Sequence, residues 1–149
     1  MSPQVTSLII FSVFVLIAVL YTLTLYRTLL SINVSNRKIS PTLVWLLLIP
    51  IFHLGWHLLL VIKISDSITA EYVSKGTALP EFRAGYGTGI IASIIWILCF
   101  LINTYNTIRG TELTVLIFLN GILSIIGFIL WIVYWAKIGS YRRKIIALQ

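Results

Sequence analysis

Four long apolar runs, separated by short polar and charged stretches, organise this chain. A bilayer core roughly 30 Å thick needs about 20 helical residues at about 1.5 Å each. The runs from about Val5 to Leu30, Thr42 to Ile64, Gly87 to Thr107 and Leu113 to Ala136 all reach that length. None alternates polar and apolar residues with period two, and all are too long for membrane strands, so helices are predicted. The expected fold is all-α: a single four-helix transmembrane bundle over residues 1–149, with a basic tail at 137–149. The first run has no basic residue before it, exceeds a typical signal core and lacks a small-residue cleavage pattern, so it is expected to stay in the mature chain.

The connections refine this picture. Ser31 to Ser40 is rich in Ser and Asn, and Pro41 suits the first turn of the second helix. Pro50, inside the second run, should bend that helix within the membrane. Ser65 to Tyr86 is the longest connection; ISDSITAEYVSK is expected to prolong the second helix into water, with Gly76, Pro80 and Gly85 marking where helix stops. Only a short turn around Arg109 and Gly110 joins the last two runs, which predicts an antiparallel hairpin.

Composition agrees with a membrane chain, at 59% hydrophobic and only 10% charged, and excludes a soluble enzyme core or a disordered tail. The net charge of +7 sits between and after the runs, which fits loops at an anionic lipid surface better than nucleic acid. With four spans, Lys63, Lys75, Arg83, Lys137, Arg142, Arg143 and Lys144 share one side, against Arg27, Arg37, Lys38 and Arg109 on the other. The richer side is the cytoplasmic one by the positive-inside rule, which places both termini in the cytoplasm. VIKIS against WAKIG, and LYRTLL against YNTIRG, hint at two duplicated hairpins in parallel; convergence at helix ends is the preferred explanation.

Candidate chemistry concentrates in the second run. His53 and His57 are spaced i, i+4 and share a helix face, and intramembrane ionisable residues raise a functional hypothesis. A metal site would need further ligands, and the spans add only Cys99, so no metal and no cofactor are expected. Neutral histidines bonded to backbone carbonyls or to Asn side chains of a neighbouring helix are the preferred reading, ahead of a water-lined proton path. Asn103, Asn106 and Asn120, with Ser93 and Ser124, are expected to bond between helices, and Cys99 to act as a small buried apolar residue.

GYGTG, Gly85 to Gly89, lacks the preceding strand and the following Lys of phosphate loops; its GxxxG spacing favours close helix approach. Trp45, Trp131, Tyr134, Trp135 and Tyr141 are expected as interfacial anchors. The tail YRRKIIALQ reads as solvated and basic, with contact to anionic headgroups or to a partner through Arg142, Arg143 and Lys144 as the functional alternative. Asp66 and Glu71 do not stack as an acid/base pair, and no nucleophile elbow or triad spacing is present, so no catalytic residue is expected.

RKISPTLVWLLLIPIFHLGWHLLLVIKISDSITAEY and the closing WIVYWAKIGSYRRKI resemble an uncharacterised family of small bacterial four-helix membrane proteins. These are stand-alone chains or carry a soluble module before the first span. The pattern rests on Pro41, Trp45, Ile49-Pro50, Phe52, Trp56, Ile64 to Ser67, Glu71, Trp131, Tyr134-Trp135 and Tyr141-Arg142. It carries Asn more often than His at the position of His53 and various polar residues at that of His57. The resemblance implies the bacterial inner membrane, fits a cytoplasmic N-terminus and supplies no activity.

The expected role is therefore non-enzymatic: a subunit or scaffold of a membrane complex, assembling with itself or with other membrane proteins. Asp66, Glu71 and the basic tail are the expected partner or lipid contacts. One alternative is an oligomeric pore or depolarising effector, with flux sensitive to His53, Asn103 and Asn120. The other is a small proton-coupled or metal transporter using His53 and His57.

Overall fold

The computed structural model describes residues 2–110 and 114–148, with the side chain of Ile51 also outside the description. Four α-helices account for most of it: α1 (Pro3–Leu30), α2 (Pro50–Ser74), α3 (Tyr86–Arg109) and α4 (Thr114–Ala147). No strand occurs among the described residues, as the absence of period-two patterning implied. Local chemistry sets most ends. The Ser2 hydroxyl accepts from Val5 N–H, with Pro3 in the first turn of α1, and α3 stops at Gly110, whose φ of 61° is a left-handed helix cap. Leu113, the expected start of the fourth run, lies outside the described residues.

Among the described residues, three helices are long and apolar enough to cross a membrane: α1, α3 and α4. The second run behaves differently, and Pro50 is the reason. A residue before proline is pushed out of the helical region, and Ile49 is extended at φ −86°, ψ 113°. The expected bent helix is thus two separate elements: a 3-10 helix over Pro41–Leu48 and α2, which Pro50 opens. These two lie side by side as a hairpin. Asn33 N–H donates to Glu71, Lys38 N–H to Ser67 Oγ, Trp56 Nε1 to Leu43 O, and His53 Nδ1 to Leu47 O, so the strandless stretch 33–48 runs antiparallel to α2 from its far end to its start. His53 thereby satisfies Leu47 O, a carbonyl that the last turn of the 3-10 helix leaves open, and Trp56 adds a bond to Leu43 O within it.

Helix directions follow from the same contacts. Tyr21 meets His57, and Asn36 near the end of α1 bonds Ser74 Oγ at 3.0 Å, so α1 and α2 run parallel. Tyr21 and Thr24 meet Trp131 and Trp135, so α4 runs parallel to both, and α3 alone is antiparallel. Ser35 and Ser74 consequently lie at one end of the bundle, correcting the expectation that the first two connections face opposite ways. The first and last described residues, Ser2 and Leu148, lie at opposite ends, so the shared side expected for the termini is corrected too. The duplication also fails, because its would-be equivalents α1 and α3 run in opposite directions.

Packing is concentrated in one half. Around the bundle, α1 contacts α4, α4 contacts α3, α3 contacts α2, and the 3-10 helix lies between α2 and α1. Leu25, Leu29, Leu60, Ile64, Ile68, Tyr134, Ile138 and Ile145 fill the core at the end holding Glu71 and Glu81. In the opposite half, α1 is exposed from Val5 to Leu16, and only α3 and α4 pair. Helix α4 does not end at Ala136 as expected but continues to Ala147. Its Tyr134, Ile138, Tyr141 and Ile145 repeat on one face and are buried, so residues 137–147 of the expected tail are packed helix with Arg143 and Lys144 on its exposed side. Trp131, Tyr134 and Tyr141, expected as interfacial anchors, instead pack against Tyr21, Gly89 and Tyr72.

Candidate functional site: a cavity at the hairpin tip

A buried chain of hydrogen bonds ties α1, α2 and α3 together. Tyr21 OH lies 2.7 Å from His57 Nε2, His57 Nδ1 lies 2.7 Å from Ser93 Oγ, and the Ser93 hydroxyl donates to Gly89 O at 2.8 Å. A carbonyl can only accept, which fixes every proton in the chain. Ser93 spends its hydrogen on Gly89, so it accepts from His57 Nδ1–H, and the remaining lone pair on Nε2 accepts from Tyr21. His57 is 3% exposed and fully satisfied. This polarity does not activate a serine, because the basic nitrogen of His57 faces Tyr21.

Beside this chain, a cavity of about 390 Å³ opens where the hairpin stops. Its volume lies toward the low end of small-molecule sites. Phe14, Ala18 and Thr22 of α1 form one wall; Trp96 of α3 with Phe128 and Trp131 of α4 form the other. Leu47, Leu48 and His53 form the hairpin tip. His53 stacks on His57 with ring centres 5.7 Å apart, but its situation differs. Its Nδ1 donates to Leu47 O at 3.3 Å, whereas its Nε2 makes no hydrogen bond among the described residues.

Gly89 makes this convergence possible. A Cβ there would meet Val61 Cγ1 at 2.6 Å and the Tyr134 ring at 2.8 Å, so α2, α3 and α4 approach closely at this residue. The close approach expected from the GxxxG spacing is therefore found at its second glycine.

No family model, curated protein or solved structure matches the chain.

The other expected site residues are not gathered at the cavity. Asn120 Nδ2 donates to Asn103 Oδ1 at 3.0 Å, an interhelical bond between α3 and α4 of the kind expected. Cys99 is buried beside Ser124 and the Asn120 carbonyl. Asp66 pairs with Arg83, and Glu71 receives Asn33 N–H at 3.0 Å, Asn36 Nδ2 at 2.7 Å and Lys75 at 3.6 Å. These acids, read as partner contacts, therefore bind this chain's own groups. Arg142 is half-buried, while Arg143 and Lys144 remain exposed. Among the described residues, no three His, Cys, Asp or Glu side chains group closely enough to hold a metal ion.

Three residues at contacts between elements went unrecognised in the sequence. Tyr21 and Thr22 sit inside an apolar run, where their polar atoms are a signal that one face of α1 meets other helices. Glu81 gathers Tyr141 OH at 2.6 Å, Lys137 at 3.1 Å and Gly85 N–H at 2.9 Å, joining the long connection to α3 and α4. Burial pushes the Glu81 carboxyl up, but Tyr141, the Gly85 N–H and Lys137 outweigh it and hold the group below its ordinary value.

Proposed function

We propose that this is an integral membrane protein of three crossings, α1, α3 and α4, with the 3-10/α2 hairpin re-entering from the charged end, and that it holds a lipid-soluble ligand at the hairpin tip. The observation that carries the reading is the cavity left where the hairpin stops beside Ala18. Ala18 lies roughly 13 Å along α1 from Arg27, close to the depth of a bilayer midplane. A binding protein is favoured over an enzyme, because the Tyr21–His57–Ser93 chain spends its protons internally and Asp66, Glu71 and Glu81 lie at the charged end.

Charge supports one orientation. With α1 and α2 parallel, every Lys and Arg of the chain except Arg109 belongs to the end that carries Lys75 and Lys144. The positive-inside rule puts that end in the cytoplasm and the start of α1 outside, in the inner membrane of a bacterium by the resemblance above. Single cysteines at Ser35 and Ser74 in a Cys99→Ala background should both react with an impermeant maleimide only from the cytoplasmic side. A cysteine at Ser2 should react only from outside. Opposite labelling of Ser35 and Ser74 would restore four crossings and remove the re-entrant hairpin.

Native mass spectrometry of the full chain, released gently with its lipids, tests the ligand reading and the expected membrane assembly together. A small lipid-soluble adduct should accompany the wild type and be lost from Ala18→Trp, whose ring would fill the cavity. Retention of the adduct by the filled variant would place it elsewhere and overturn the reading. Partner chains in the spectrum would make this protein the ligand-binding subunit of a complex.

A further inference from the structure

We infer that the cavity selects a neutral, lipid-soluble alcohol or phenol, whose hydroxyl donates to His53 Nε2; the inference rests on the cavity being a ligand site. One polar group on its wall is without a partner among the described residues. The Nε2 of His53 is an acceptor, because Nδ1 carries the ring's proton to Leu47 O. Thr22 also lines the cavity, but its Oγ1 is fully buried and does not reach the void.

The inventory of donors and acceptors selects the ligand. A bilayer acyl tail would fill the volume but leave the His53 Nε2 unpaired. A ketone or ester brings acceptors only and leaves His53 Nε2 unserved. A carboxylate likewise brings only acceptors, and no Lys or Arg lines the cavity to balance its charge. A hydroxyl brings the donor that the imidazole lone pair lacks, without bringing a charge. The apolar remainder of such a ligand matches Phe14, Trp96 and Phe128, and the cavity lies between helices at the depth where a lipid-soluble molecule diffuses.

The test uses the full chain in phosphatidylcholine nanodiscs with a photoreactive, alkyne-bearing hexadecanol as probe. Its label is mapped by peptide, and unlabelled hexadecanol, hexadecyl methyl ether and hexadecanoate compete with it. The probe should label α1 and α2 peptides around the cavity, and the ether should compete about tenfold less well than the alcohol, the scale of one hydrogen bond. His53→Leu should keep the labelling and lose the preference for the alcohol. Thr22→Val, whose replaced oxygen does not reach the void, should leave that preference unchanged. Equal competition by alcohol and ether on the wild type would overturn the hydroxyl selection while leaving a ligand cavity. Stronger competition by hexadecanoate would overturn it in favour of an anion site. Wild-type labelling no greater than that of Ala18→Trp would overturn the ligand cavity itself, and this inference with it.

Discussion

Replacing Gly89 with alanine should destabilise the packed half of the bundle by about 2 kcal/mol, the upper end of the cost of overpacking less the gain in helix propensity. The added methyl would meet Val61 and the Tyr134 ring closer than carbon atoms approach, and both neighbours are themselves buried. Relief requires α3 to move away from α2 and α4 together, which would also pull Ser93 from His57. The expected readout is a lower unfolding midpoint in detergent, with loss of whatever the cavity binds. Other glycines supply graded controls. At Gly127 the clash is with a single methyl, Ile95 Cγ2 at 2.8 Å, so only the α3–α4 pair must give, and alanine should cost about 1 kcal/mol. At Gly121 nothing lies within 4 Å, and alanine should be neutral or gain up to about 1 kcal/mol. Equal midpoints for all three variants would refute the close three-helix approach.

Glu71→Ala should be comparably damaging, at about 3 kcal/mol, because it strands hydrogen-bond donors in a closed site. The Glu71 side chain is only 3% exposed and receives Asn33 N–H, Asn36 Nδ2 and Lys75. These bonds fasten the chain leaving α1 to the far end of α2, fixing where the hairpin begins. Glu71→Gln keeps an acceptor and should lose about half as much. Burial pushes the Glu71 carboxyl up, yet Asn36, Asn33 and Lys75 outweigh burial and hold it below its ordinary value of 4.5. A carboxyl with a depressed folded-state value stabilises fully above its unfolded value, and that stabilisation is lost as pH falls through the folded one. Glu81 is depressed in the same direction. Acid titration below about pH 4.5 should therefore loosen the charged end first, and Glu71→Gln should flatten that dependence. An unfolding midpoint independent of pH over this range would refute the coupling.

Helix identity was legible because hydrophobic run length is a local property. The ends of α1 and α3 lie close to expectation, and the α3–α4 pairing follows from a connection too short for anything else. Pro50 was legible as a perturbation, but its direction was not. Proline excludes a regular helix through Ile49 in either case; whether the two halves continue at an angle or fold back depends on the carbonyl acceptors that Trp56 and His53 find across the hairpin. The same limit applies to the histidines. Their i, i+4 spacing placed both on one face, whereas the distinction between a saturated His57 and a half-served His53 comes from α1 and α3.

The charge count illustrates the dependence of one conclusion on another. With four crossings assumed, the basic residues divided unevenly between the two sides; with α1 and α2 parallel, Arg109 stands apart from all the others. Tail 137–149 held its own clue, since Ile138, Tyr141 and Ile145 continue the spacing of Tyr134, but basic composition outweighed that periodicity in the reading.

By itself, then, the sequence determined an all-helical chain with helices apolar enough for a membrane, the short α3–α4 turn and a perturbation at Pro50. These depend on run length, backbone sterics and reach, which act over a few residues. Only the tertiary structure decided that the second run folds back, that the described ends lie apart, and that Tyr21, His53, His57 and Ser93 meet at one level. Those outcomes depend on which distant groups satisfy buried carbonyls, hydroxyls and imidazoles, and pairings between residues 36 positions apart leave no periodic trace in a single chain.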